Sequence, residues 1–225
     1  MSKSNRYYWN NFYKGLKSNF FWPWSDLISL TNRFFIKKNK RPKVLEIGVG
    51  NGANIPFFLK KNCEFYGIDA SEYIIRKLKK RFKNFKKNLF AGNFQDNLIK
   101  DKKFDLIFDR GAISCGNNKE NIEKIIELIY KNLKKDGLFI GVDWYSKSST
   151  FFKYRLKKSK KTKNFFSYKS GPFKDIGHIY FTSVHDLKRY FSKFKILHIE
   201  EKKIKYFLTK KNDSIFSSWS IVVKK

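Results

Sequence analysis

The feature that most constrains this chain is a repeated alternation of short apolar strand patterns with helical patterns. Helical patterns begin near Asn54 and at Ser71, and the clearest one covers 119–134. Apolar runs that predict strands lie at 43–48, 64–68, 88–90, 104–109 and 138–143. This alternation is typical of a parallel sheet with crossover helices. It predicts an α/β fold that binds ligands at the carboxyl ends of its strands.

The two ends of the chain differ from this central pattern. Residues 1–38 carry aromatic-rich helical stretches, and a helical pattern at 184–191 precedes strand patterns at 194–207 and 215–223, joined by a predicted turn at 210–213. A length of 225 residues suits one domain. We therefore predict a helical cap segment, 1–38, and one main domain, 39–225, with a basic insertion at about 151–175.

The net charge of +31 taken alone indicates a nucleic acid or an anionic surface as partner. However, lysine far outnumbers arginine, and the chain is also rich in Asn, Ile, Phe and Tyr, which is typical of AT-rich coding. Nucleic-acid readers favour arginine for its bidentate geometry. We interpret the charge as a solvated lysine surface and keep a nucleic-acid face as the alternative.

Cysteine and histidine usage argues against a disulfide framework and against a metal held by the protein. Cys63 and Cys115 form no CxxC pair. The histidines are scattered without metal-ligand spacing at His178, His185 and His198.

No apolar run reaches the roughly 18–20 residues of a membrane span, and the first residues lack the apolar core of a secretory signal. The prediction is a cytoplasmic protein.

A glycine-rich loop follows the first predicted strand in the string VLEIGVGNGANI, residues 44–55. Gly48, Gly50 and Gly52 fall in the turn before the next helix, where glycine lets the backbone approach a ligand closely. The string also satisfies GxGxxA, ending at Ala53, so a nicotinamide dinucleotide site has to be weighed. A turn with no ligand is the third interpretation.

Acidic residues separate these interpretations. The chain has only 19 acids, yet four lie at or near the carboxyl ends of predicted parallel strands: Glu46, Asp69, Asp109 and Asp143. Clustered carboxylates suit a cofactor that carries a sulfonium and an ammonium group, and they suit a pyrophosphate poorly. A nicotinamide enzyme would also need room for a substrate domain. The pattern therefore indicates a cationic nucleoside.

Successive segments within 42–143 resemble the motifs of class I S-adenosylmethionine-dependent methyltransferases: VLEIGVGNG, GIDAS, AGNF, FDLIFDRGA and LKKDGLFIGVD. The resemblance implies a doubly wound, Rossmann-like sheet of seven mostly parallel strands with an antiparallel C-terminal strand, in three α/β/α layers. It also implies S-adenosylmethionine as the cofactor and 39–225 as the methyltransferase domain.

The same resemblance assigns the cofactor-binding residues. Glu46 would lie near the methionine amino group and Asp69 would bind both ribose hydroxyls. Asn93 and Phe94 would hold the adenine edge and face, although Asn93 stands where an aspartate is common. The full set is Glu46, Gly48, Gly50, Gly52, Asp69, Ala70, Asn93, Phe94, Asp109 and Arg110.

The methyl acceptor is less well specified. The DRGA string, 109–112, resembles the fourth-strand motif of thiopurine and related thiol methyltransferases, but four residues do not transfer a substrate. No Asn/Asp-Pro-Pro-aromatic motif follows, which argues against adenine-N6 and cytosine-N4 methylation. Cys115 lacks the preceding proline of 5-methylcytosine enzymes, so we interpret it as a small buried hydrophobe.

Segments after the fifth strand should overhang the acceptor, so the candidate catalytic bases are Asp143, Tyr145 and His178. The N-terminal aromatics are either ordinary packing or a lid over the cofactor: Trp9, Phe12, Tyr13, Trp22 and Trp24. The basic stretch 153–163 is either an ordinary lysine-rich loop or a lid that attracts an anionic substrate or RNA.

The function predicted from the sequence is methyl transfer from S-adenosylmethionine to an unidentified small-molecule acceptor. The alternatives are an RNA methyltransferase that uses the basic surface, a non-catalytic S-adenosylmethionine-binding protein, and a nicotinamide oxidoreductase. Whether sulfur, nitrogen or oxygen is methylated, and the oligomeric state, stay open.

Overall fold

A computed structural model describes residues 5–15, 22–36, 40–96, 99, 101–152, 165–168, 173, 176–207 and 214–225. The helices are α1 (Asn5–Gly15), α2 (Ser25–Phe34), α3 (Ile55–Lys60), α4 (Glu72–Arg81), α5 (Lys119–Asn132) and α6 (Val184–Tyr190). The strands are β1 (Lys43–Ile47), β2 (Glu64–Asp69), β3 (Leu89–Ala91), β4 (Phe104–Arg110), β5 (Leu133–Tyr145), β6 (Phe165–Ser167), β7 (His178–Tyr180), β8 (Lys195–Tyr206) and β9 (Ser214–Lys224).

The main sheet has seven strands in the order β3-β2-β1-β4-β5-β9-β8. The first five are parallel, and β9 runs antiparallel to both of its neighbours. The chain order reverses between β1 and β4, which is the switch point where open α/β sheets bind ligands. The predicted seven-stranded Rossmann-like fold with an antiparallel C-terminal strand is confirmed.

Helices cover both faces of the sheet because the strand side chains alternate between two apolar clusters. Ile107 of β4 packs in one cluster with residues of α5 and α6, such as Ile125 and Leu187. Leu106 and Phe108 pack in the other cluster with residues of α2, α3 and α4. Three layers follow, and the helix-bearing turns lie above the carboxyl ends of the parallel strands.

Two local features differ from the sequence-based expectation. The fifth strand begins at Leu133, earlier than the predicted start at 138, and it contains an irregularity where Asp136 has a φ of 63°. A separate two-stranded sheet, β6 with β7, was not predicted because its strands are only three residues long. The predicted turn at 210–213 and the basic stretch 153–163 lie outside the described residues.

Candidate active site

A cavity of about 420 Å³ opens at the carboxyl ends of β1, β2 and β4. That volume is within the range of small-molecule sites. We call one part of its surface the carboxylate lining: Glu46, Gly48, Gly50, Asp69, Ala70, Asn93 and Phe94. We call another part the aromatic lining: Trp9, Phe12, Tyr13, Trp24 and Tyr145. Arg110 and Cys115 also border the cavity.

Glu46 is buried at the end of β1 with half of its carboxylate unsatisfied. Its Oε1 accepts a hydrogen bond of 2.7 Å from Asn54 Nδ2. Its Oε2 is buried and has no hydrogen-bond partner among the described residues. Burial, and next the carboxylates of Asp69 and Asp109, raise the pKa of Glu46 well above its usual range, while Asn54 lowers it. An unpaired buried carboxylate oxygen at a cavity wall calls for a cationic hydrogen-bond donor.

Asp69 ends β2 and ties two loops together. Its Oδ2 accepts from Gly50 N at 2.9 Å, and its Oδ1 accepts from Ser71 N at 2.8 Å. Burial raises the pKa of Asp69 to about 6, against the lowering effect of these two backbone bonds. Each oxygen keeps a further lone pair for a ligand hydroxyl.

The glycine loop passes close enough to other segments that a side chain would collide. Gly48 has a φ of 72°, and a Cβ there would lie 2.2 Å from Ala112 Cβ. Gly50 has a φ of 53°, and a Cβ there would lie 2.9 Å from the hydroxyl oxygen of Tyr13. Gly52 does not border the cavity, because its surroundings are Leu78 and Ile55. Packing against Ala112 and Tyr13 therefore requires glycine at 48 and 50, and both glycines border the cavity.

Asp109 and Asp143 do not border the cavity, although both were predicted site residues. Asp109 is fully buried, and it accepts bonds from Ile113 N at 3.0 Å and Trp144 Nε1 at 2.8 Å. Burial raises the pKa of Asp109 to about 7. Its contacts hold the turn after β4, so it acts behind the cavity surface.

Asp143 is engaged by charged and polar partners. Its Oδ2 lies 2.6 Å from Arg110 Nη2, and its Oδ1 accepts from Ser218 Oγ at 2.8 Å. Lys202 Nζ lies 3.5 Å from the same Oδ1. Its φ of 54° is strained for a residue with a Cβ. These contacts leave Asp143 poorly placed to accept a proton from a ligand.

Tyr145 is the one candidate base that borders the cavity. Its hydroxyl lies 3.9 Å from Cys115 Sγ. Burial, followed by Cys115 and Asp143, raises the pKa of Tyr145 well above its usual range. Burial also raises the pKa of the Cys115 thiol to about 12. His178 lies on β7, away from the cavity lining.

Helix α1 brings the aromatic lining onto the glycine loop. Asn10 of α1 accepts bonds through its Oδ1 from Ser71 Oγ at 2.7 Å and from Tyr73 N at 3.2 Å, at the start of α4.

Trp24, just before α2, stacks its ring 3.5 Å from the guanidinium carbon of Arg110. Trp22 is 87% exposed and does not border the cavity. The sequence did not reveal Asn54, since an asparagine near a helix start usually indicates capping only. It did not reveal Asn10 either, because Asn10 lies in the middle of α1 and its partners, Ser71 and Tyr73, are distant in sequence.

Two negative findings concern the part of the chain that the structure describes. No group of three His, Cys, Asp or Glu side chains there is arranged to hold a metal ion. No helix there has the length and apolar content that crossing a bilayer requires.

Comparison with known proteins finds that this chain is similar to methyltransferases. A family model described as "Methyltransferase domain" matches residues 44–137. O-methyltransferase 3 of Dictyostelium discoideum is 29% identical over 148 residues, which cover 60% of this chain and 32% of that protein. The chain thus spans about a third of the length of that relative.

Solved structures share the fold at low sequence identity. An S-adenosylmethionine-dependent methyltransferase from Methanosarcina mazei has a TM-score of 0.69 and 15% identity, covering 87% of this chain and 96% of its own. Phosphoethanolamine N-methyltransferase 2 of Haemonchus contortus, solved with phosphomonomethylethanolamine and S-adenosylhomocysteine, has a TM-score of 0.66 and 15% identity, covering 99% of this chain and 60% of its own.

Proposed function

We propose that this chain, which a family model described as "Methyltransferase domain" matches over residues 44–137, transfers the methyl group of S-adenosylmethionine to a small-molecule acceptor. The observation that carries the proposal is the unpaired Oε2 of Glu46 at the cavity. A buried carboxylate that faces a ligand site without a cation is costly, and the ammonium of the cofactor would satisfy it.

The carboxylate lining would hold the cofactor as the sequence predicts. Glu46 would bind its amino group, and Asp69 would accept from both ribose hydroxyls. Asn93 donates through Nδ2 to Asp96 at 3.2 Å, which orients its amide so that Oδ1 would accept from the adenine amino group. Phe94 would pack on the adenine face.

Arg110 borders the cavity and would line the reaction space, whereas Asp109 and Gly52 would support the loops from behind.

The cofactor supplies a methyl group that is already activated by a positively charged sulfur. The protein mainly has to align an acceptor with it and exclude water. Tyr145 and Cys115 keep their protons at neutral pH because burial raises the pKa of both. We therefore expect the hydroxyl of Tyr145 to position the acceptor rather than to act as its base. The cavity would favour an acceptor that is nucleophilic without base catalysis.

The small size of the acceptor is supported by helix α1, whose aromatic residues cover the cavity. We infer that 1–38 works as a cap and that the aromatic lining contacts the acceptor. Aromatic walls with a few polar groups are typical of sites for small, partly apolar ligands.

RNA methylation is a second candidate because of one acid-free segment. From Tyr73 to Gln95 the chain contains no acidic residue. Within it, exposed cations follow one another on and after α4: Arg76, Lys77, Lys79, Lys80, Arg81, Lys83, Lys86 and Lys87. Such a segment would bind a phosphate backbone with a steep dependence on salt.

Calorimetric titration with S-adenosylmethionine, S-adenosylhomocysteine and NADH tests the proposal, with Asp69→Ala as the matched variant. We expect both sulfur nucleosides to bind and Asp69→Ala to weaken them about 100-fold, since two or more bonds to a charged group are lost. Binding of NADH alone would refute it. Binding of the nucleosides with no methylated product from a broad acceptor panel would favour a non-catalytic binding protein. Salt-sensitive RNA binding with a methylated RNA product would favour the second candidate.

A further inference from the structure

Asn54 stands at the start of α3 but does not act as a helix cap. It is 2% exposed, and its side chain makes no capping hydrogen bond to the first turn of the helix. An asparagine at this position usually accepts from a backbone N–H two or three residues on, which stabilises the helix. The side chain of Asn54 therefore does something other than stabilise α3.

Both ends of the Asn54 amide bond to residues outside α3, one of them 8 positions away and the other 30 positions away. Nδ2 donates to Glu46 Oε1 at 2.7 Å, and Oδ1 accepts from the backbone N–H of Trp24 at 3.2 Å. One small residue thus joins the carboxylate lining to the aromatic lining. The amide fixes one oxygen of Glu46 and leaves Oε2 for a ligand.

Asn54 also acts on the charge of Glu46. Burial raises the pKa of Glu46, and the hydrogen bond from Asn54 is the largest opposing influence. A donor on one oxygen favours the ionised carboxylate, which is the form that binds an ammonium. Orientation and ionisation of Glu46 therefore depend on the same bond.

Beyond Trp24 the connection continues to the ends of β4 and β5. The Trp24 ring lies 3.5 Å from the guanidinium carbon of Arg110, and Arg110 lies 2.6 Å from Asp143. Lys202 then bridges Asp143, at 3.5 Å, to Asp26, at 3.1 Å, two residues after Trp24. Residues 24–26, at the start of α2, are therefore held by Arg110 at Trp24 and by Lys202 at Asp26. The hydrogen bond of Asn54 joins this anchored segment.

We propose that Asn54 is a positioning residue for the amino group of the cofactor, and that it couples this group to the Trp24 part of the aromatic lining. The proposal rests on the proposed function, because it takes the cofactor to be S-adenosylmethionine. Asn54 does not touch the reacting atoms; it acts through Glu46.

The test compares two ligands that differ in the amino-acid portion. S-adenosylhomocysteine carries the ammonium, whereas 5′-methylthioadenosine keeps the adenine and ribose and lacks the amino acid. In Asn54→Ala we expect calorimetry to show S-adenosylhomocysteine weakened about 10- to 100-fold and 5′-methylthioadenosine changed less than about twofold. The affinity for S-adenosylhomocysteine should fall when Glu46 becomes protonated at low pH. In Asn54→Ala this fall should begin at a higher pH, since the pKa of Glu46 loses its main lowering influence.

Two further variants keep the test decisive. Asn54→Ser introduces a side chain that favours a helix start but is too short to reach Glu46, so it should fold well and show the same selective loss. Asn132→Ala removes another buried asparagine, on α5 and outside the cavity lining, and should leave both affinities unchanged. Equal weakening of the two ligands in both Asn54 variants would overturn the proposal and show a structural role. Failure of the unaltered protein to bind either ligand would refute the proposed function instead.

Discussion

The two linings of the cavity are built in different ways. The carboxylate lining comes from the ends of β1 and β2 and from the loops that follow β1, β2 and β3, and the carboxylate of Asp69 accepts from backbone amides of two of these loops. The aromatic lining comes from α1, from the turn before α2 and from the end of β5. The first is fixed by local backbone geometry and the second by long-range side-chain contacts. Under the proposed function, the first would hold the cofactor and the second would contact the acceptor.

The largest expected effect comes from adding a methyl group to the glycine loop. In Gly48→Ala the new Cβ would meet Ala112 Cβ at 2.2 Å in a left-handed backbone conformation. We expect a loss of about 2–4 kcal/mol in the free energy of unfolding and no measurable binding of S-adenosylhomocysteine, by thermal unfolding and calorimetry.

Gly15→Ala is the control for that variant, since a Cβ at the end of α1 meets nothing within 4 Å. It should change the unfolding free energy by less than about 1 kcal/mol. Normal binding by Gly48→Ala would mean that the backbone of this loop does not define the carboxylate lining.

The second expected effect is a pH dependence of ligand affinity that arises from the carboxylate lining and not from the aromatic lining. The pKa of Asp69 is about 6, whereas burial raises the pKa values of Tyr13 and Tyr145 far above neutrality. Binding of 5′-methylthioadenosine needs the ionised Asp69 to accept from the ribose, so its affinity should fall about tenfold per pH unit below pH 6. Calorimetry between pH 5 and 8, expressed as ligand affinity, measures this.

Asp69→Asn is the matched variant, because its amide does not ionise. It should bind 5′-methylthioadenosine weakly and without the fall below pH 6. A wild-type affinity that stays constant down to pH 5 would contradict a ribose-binding role for Asp69.

The smallest expected effect tests the ion pairs behind the aromatic lining. Lys202→Met removes contacts to Asp26 and Asp143, from two distant segments. Because Lys202 is partly exposed, we expect a loss of about 1 kcal/mol and a fall in Tm of roughly 2–4 °C. The affinity for 5′-methylthioadenosine should stay within about twofold, since the carboxylate lining is untouched.

Lys203→Met is the comparison, because Lys203 contacts only its neighbour Glu201 among the ion pairs of the described residues. Its Tm should change by less than half as much. Equal changes in the two variants would show that Lys202 gives residues 24–26 no particular support.

Order of elements and the carboxylate lining could be predicted from the sequence because both depend on local pattern. Apolar strands, glycine turns and acids at strand ends are written within a few residues of one another, so the sequence alone identifies Glu46 and Asp69 as candidates. The five parallel strands and the antiparallel last strand agree with the prediction. The assigned binding roles of these residues stay predictions.

The tertiary structure alone decided which other candidates meet at the cavity. Asp143 faces Arg110, Lys202 and Ser218, and such partners, distant in sequence, leave no periodic signal. Asp109 lies away from the cavity surface because a position at a strand end does not fix the direction of a side chain. His178 lies on β7, in a two-stranded sheet that the sequence pattern did not predict. Asn54 has an ordinary local context, and the structure alone shows that it borders the cavity and bonds to Glu46 and Trp24. Local geometry is encoded in adjacent residues, whereas convergence of side chains depends on how the layers pack.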